Sequence, residues 1–180
     1  ALSGLSVILI EHKINQGKAA SLWDGIMAAR NHKVRYIVTL DGDGQHAPED
    51  IPLLLAKTET YPNHIIIGAR LADKSLIPSK RYWANRIANF WIAWAAGYPI
   101  SDSQSGFRIY PSYLFDGLEI STSKRSCFVF ESEILIKAAQ RGIKSHAVAI
   151  PAVYLTNARP SHFRGGRDIP YITLMVGRYL

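Results

Sequence analysis

A chain of 180 residues, 48% hydrophobic and 19% charged, is long enough to bury one domain's core and too apolar to be disordered. Its net charge of +7 favours anionic partners such as nucleotides, phosphates or acidic lipid surfaces, and its basic residues are scattered, so no nucleic-acid partner is expected. A single cysteine, Cys127, excludes an intrachain disulfide and a multi-cysteine zinc site, and it suits a cytoplasmic compartment.

No stretch reaches the roughly 18 apolar residues of a membrane span, and no basic n-region precedes an apolar run of signal-peptide type. The chain opens on Ala1, runs almost at once into Ser6-Val7-Ile8-Leu9-Ile10, and stops at Tyr179-Leu180 inside an apolar segment. Both ends are expected to be cuts in a longer protein.

Short β-rich runs alternate with helical patterns, which predicts an α/β domain with a mostly parallel central sheet flanked by helices. Residues 6–10 read as a strand. Residues 17–31 read as a helix with Ala20, Trp23, Ile26, Met27 and Ala28 mostly on one face. A strand over 34–40 delivers Asp41 and Asp43 at its carboxyl end. Pro48 suits the first turn of the next helix, to about residue 60, with Glu49 and Asp50 at the positive end of its dipole. Residues 64–68, HIIIG, form a third strand, followed by Arg70. Residues 71–80 read as a loop.

The helical segment RYWANRIANFWIAWAAGYP carries Trp83, Ile87, Phe90, Trp91, Trp94 and Ala95 on one stripe, with Asn85, Arg86 and Asn89 off it. That stripe either packs on the sheet or seats the domain on a membrane surface, where tryptophan favours the interface and arginine favours anionic lipid. SDSQSGFRIYP then leads into a short strand. A helix over 131–141 ends at Gly142, a strand covers 145–150, and residues 159–180 form a basic, glycine-containing loop with a possible membrane-proximal helix. No internal repeat is found.

The chemistry centres on LDGDGQHAPED. Ligands of open α/β sheets bind beyond the carboxyl ends of strands, where Asp41 and Asp43 sit. Two carboxylates this close are stabilised together by a divalent cation, and hard oxygen ligands favour Mg²⁺ or Mn²⁺. Gln45 and His46 can add a ligand, while Gly42 and Gly44 let phosphates approach. A polar turn capping the following helix is the plain alternative. Gly17-Lys18 at a helix start suits an anion, or is simply a helix start with a solvated lysine. Ser105, Gly106 and Arg108 place a flexible backbone and a guanidinium in a polar loop, the arginine serving phosphate or a buried ion pair. Glu131 and Glu133 open a helix, where acidic residues also steady the dipole. His162, Arg164 and Arg167 lie on a glycine-bearing stretch suited to a phosphate-neutralising lid.

Taken in order, NQGKAASLWDGI, LDGDGQHAPED, GAR, RYWANRIANF, DSQSGFR and FESEILIKAAQRGI resemble the family 2 glycosyltransferases. The likeness is nearest to the dolichyl-phosphate mannosyltransferase branch and its bacterial polyprenyl-phosphate relatives. The resemblance implies a GT-A fold, a nucleotide-sugar donor, a divalent metal and inversion at the anomeric carbon. Carried over by position, Asp41, Asp43 and Gln45 hold the metal and diphosphate. Arg70, Arg86 and Arg108 are candidates for phosphate contacts, with Arg164 and Arg167 in an acceptor-side loop; Lys18, Ser105 and Gly106 are further substrate-binding candidates. The acceptor implied is a polyprenyl or dolichyl phosphate or another cell-envelope lipid, reached by peripheral membrane contact on the cytoplasmic face.

Two departures stand out. The chain begins after the strands that bind the nucleotide base in this family. Phe130-Glu131-Ser132-Glu133 also stands where the branch shows Phe-Gln-x-Glu, so Glu131 or Glu133 is a candidate base for a hydroxyl acceptor, whereas an anionic phosphate acceptor needs none. Two other readings compete: a phosphotransferase of the haloacid dehalogenase type, whose D-x-D continues with Thr or Val rather than Gly44-Gln45, and a non-catalytic domain that packs on a partner or membrane.

Overall fold

The computed structural model describes residues 6–42, 44, 46–70, 79–122, 129–151 and 173–179, with the backbone alone for 79–81. Asp43, Gln45, His162, Arg164 and Arg167 lie outside the described residues, as does most of the basic loop expected over 159–180.

Helix α1 (Lys18–Asn31) starts where Gly17 adopts φ 92°, a turn that favours glycine, and it buries Ala19, Ala20 and Ile26. Strand β1 (Tyr36–Thr39) leads through a short turn at Pro48–Asp50 into α2 (Ile51–Thr60). Strand β2 (Ile65–Ala69) is buried throughout, as a continuous apolar run predicts for a strand covered on both faces. Helix α3 (Ser79–Ala96), β3 (Arg108–Pro111), α4 (Phe130–Gln140) and β4 (Ser145–Ala149) complete the order.

The sheet runs β1-β3-β2-β4. β3 is antiparallel to both β1 and β2, while β2 and β4 pair in parallel. Three strands therefore point one way and β3 runs against them. The carboxyl ends of β1 and β2 and the amino end of β3 meet at one edge of the sheet, so the 101–107 loop arrives beside Asp41. One apolar cluster packs Ile65, Ile67 and Tyr110 against Ala19, Ile26, Ile92 and Ile134. The other packs Ile66, Ile109, Phe107 and Val148 against Leu54. The alternation along β2 fills both layers, and each fully buried isoleucine contributes about 1.5–3 kcal/mol.

Two expectations change. Residues 6–10 form no strand, and Val7, Ile8 and Leu9 are exposed, Leu9 at 77%. An apolar run alone does not make a strand, because the backbone needs a hydrogen-bonding neighbour, and among the described residues this sheet offers that segment none. The α3 stripe also divides. Trp91 and Ala95 pack on the core beside the buried Ala88 and Ile92, whereas Trp83 (61% exposed), Ile87, Phe90 (63%) and Trp94 (55%) form a ridge on the outer side. Among the described residues no helix is long and apolar enough to cross a membrane.

Candidate active site

Three elements bring charge together at the shared edge. α1 supplies Lys18 from its first turn, the end of β1 supplies Asp41, and the first turn of α4 supplies Glu131. Lys18 Nζ lies 2.8 Å from Asp41 Oδ1 and 2.8 Å from Glu131 Oε1. Burial alone would lower the Lys18 pKa, but the two carboxylates outweigh it and hold the ammonium protonated above the usual lysine range. Burial likewise opposes ionisation of Asp41, yet Lys18 wins, with smaller help from His46 and Arg70, and keeps this carboxyl below its ordinary value.

Gly106 closes the site from the loop side. A Cβ built there would lie 2.5 Å from Asp41 Oδ2, so only glycine leaves room for this carboxylate. The loop around it is fixed by buried polar groups. Thr39 Oγ1 donates to the Gly106 carbonyl at 2.8 Å, and Ser105 Oγ donates to the Gly68 carbonyl at 2.7 Å. Asp102 accepts from the Arg70 backbone N–H at 3.2 Å and lies 3.7 Å from Arg70 Nε. Asn89 of α3 donates to the Ser101 carbonyl at 2.7 Å and accepts from the Ser103 N–H and hydroxyl at 2.9 and 2.6 Å. The buried His46 ring packs 5.4 Å from that of Phe107.

Arg108 is fully buried and does not project toward a ligand. It donates to the carbonyls of Ser105, Glu131 and Ser103, each at 2.7 Å. The guanidinium fork thus joins the 101–108 loop to α4; among the described residues its closest partners are backbone carbonyls, where a phosphate or a buried ion pair is the expectation from sequence. Glu133 also stands apart from the site. Two residues from Glu131 on the helix, it points elsewhere, accepting from Tyr179 Oη at 2.8 Å with Lys137 Nζ 3.5 Å away. Arg86 is exposed on α3, its guanidinium beside the Tyr82 ring. The structure therefore gathers Lys18, Asp41, Glu131, Ser105 and Gly106, with Arg70 close enough to act on the charge of Asp41.

Asn89 and Asp102, which hold the loop, were not singled out by residue type. Their only signal is membership of the RYWANRIANF and DSQSGFR motifs. The Lys18–Glu131 contact has no local signal, since its partners lie far apart in the chain.

Asp41 offers one hard oxygen donor of the kind Mg²⁺ or Mn²⁺ takes, partly open at the end of a strand and here engaged by Lys18. Among the described residues no group of three or more His, Cys, Asp or Glu side chains could hold a metal ion.

A mixed sheet flanked by helices, with a carboxylate at the end of β1 and a polar loop folded against it, is the nucleotide-sugar transferase architecture called GT-A. The chain belongs to glycosyl transferase family 2, whose model matches residues 2–116. It is similar to the UDP-N-acetylglucosamine–dolichyl-phosphate N-acetylglucosaminyltransferase of Methanococcus voltae, 28% identical over 177 residues, covering 94% of this chain and 69% of the relative. The dodecaprenyl-phosphate galacturonate synthase of Rhizobium johnstonii is 32% identical over 207 residues, covering 98% and 59% respectively. An uncharacterised protein of Methanocaldococcus jannaschii is 32% identical over 152 residues, covering 82% and 62%. The chain spans about six- to seven-tenths of the length of these relatives.

Proposed function

We propose that this chain is part of a metal-dependent inverting glycosyltransferase that moves a sugar from a nucleotide-diphosphate donor to a polyprenyl or dolichyl phosphate, or another cell-envelope lipid. One observation carries the reading: the ionised, partly open carboxylate of Asp41 at the end of β1, facing Lys18 and beside a position that only glycine leaves clear. The names of the relatives support a lipid-phosphate acceptor.

Asp41, together with Asp43 and Gln45, would hold Mg²⁺ or Mn²⁺, which when bound neutralises the charge growing on the departing diphosphate. Arg70 adds positive charge on the same side. The Ser103–Arg108 network keeps the loop backbone fixed, so no reorganisation is needed as that charge develops. For a hydroxyl acceptor Glu131, ion-paired to Lys18, is the candidate base, whereas a phosphate acceptor attacks without one. The outward ridge of α3, rich in tryptophan, suits peripheral contact with the membrane that carries such an acceptor.

The test is made on the intact protein, with sugar transfer to a polyprenyl phosphate in the presence of Mn²⁺. Asp41→Asn should lower kcat by about 100-fold or more while the circular dichroism spectrum stays native. Transfer at the wild-type rate would refute the assignment.

A further inference from the structure

We infer that Lys18 is an exchangeable counter-ion: it holds Asp41 and Glu131 together before a divalent cation arrives, then yields Asp41 to that cation while keeping Glu131. The inference rests on the metal reading of Asp41 given above and assigns Lys18 a task other than gripping substrate phosphate.

Geometry carries it. A single ammonium sits 2.8 Å from one oxygen of each carboxylate. An ammonium engaged by two carboxylates lies in negative surroundings, which disfavours a phosphate ligand until one carboxylate is taken up elsewhere. Of the three side chains, Lys18 is the one free to move. It is 45% exposed on a flexible stem, whereas the Glu131 side chain is 9% exposed. Asp41, 25% exposed, sits between the two on its short stem. A divalent cation reaching Asp41 would therefore meet the lysine charge at the same carboxylate and repel it. Glu131 would retain Lys18 and so keep α4 linked to α1 through the exchange.

The measurement is Mn²⁺ affinity of the full chain, read from the electron paramagnetic resonance signal of free Mn²⁺. With the competing charge removed, Lys18→Met should bind Mn²⁺ about three- to tenfold more tightly than wild type. Lys18→Arg keeps the charge and should stay within about twofold. A lysine with only a structural role would give weaker binding in Lys18→Met, and a lysine that only contacts substrate would leave Mn²⁺ affinity unchanged; either result overturns the inference. A second measurement needs no variant: Mg²⁺ should raise the rate at which an N-hydroxysuccinimide ester acylates Lys18 in the wild-type chain, followed by peptide mass spectrometry. An unchanged rate also overturns it. Failure of the wild-type chain to bind Mn²⁺ at all would instead overturn the metal reading, and the exchange with it.

Discussion

The 101–108 loop and the outer face of α3 reverse the usual distribution of polarity. The loop buries Asp102, Ser103, Ser105 and Arg108, yet each side chain has hydrogen-bonding partners, most of them backbone groups. The face of α3 turns Trp83, Ile87, Phe90 and Trp94 outward, although its inner face follows the ordinary apolar pattern. Buried polar groups are stable only when satisfied, so the loop is rigid by construction. An exposed aromatic ridge adds little to stability within the chain, which leaves it available for a surface. The comparison separates residues that shape the site from residues that the fold leaves exposed.

Removing the centre of the loop network should have the largest effect. Arg108→Ala strips three buried carbonyls of their donor and leaves a cavity, so chemical denaturation should reveal a loss of about 3–5 kcal/mol. Asn89→Ala comes next. It removes three hydrogen bonds at the junction of α3 and the loop, and about 1–3 kcal/mol should be lost. Replacing Phe90 and Trp94 together with Ser should change folding stability least, by about 0.5 kcal/mol or less per exposed site. The same double variant should lose binding to anionic phospholipid vesicles in a flotation assay. Retained vesicle binding, or a large stability loss from the ridge variant, would break the division between the two regions.

The sequence revealed the elements better than their arrangement. The continuous HIIIG run and the apolar spacing of residues 19–27 give β2 and α1 because burial on both faces and on one face leave different periodicities. The LDGD stretch places a carboxylate where a strand ends, which is why Asp41 could be found before any coordinates. The direction of β3 could not be read, since a four-residue strand carries no mark of which way it runs. The apolar run at 6–10 looks like a strand by the same test that finds β1, yet pairing depends on a neighbour that the test does not examine. Residue type leaves Arg108 open between phosphate and a buried ion pair, and the same guanidinium fork that suits either also grips three carbonyls. The ridge on α3 follows from an apolar face too broad for one side of the sheet to cover, with no local feature to say which part of it is buried.

Gly106 makes the site depend on a group the chain does not have. A methyl at position 106 would lie 2.5 Å from Asp41 Oδ2 and 2.8 Å from its Oδ1, so alanine there displaces either the carboxylate or the loop. A substitution that carries no charge would thus disturb the charged centre, through volume alone.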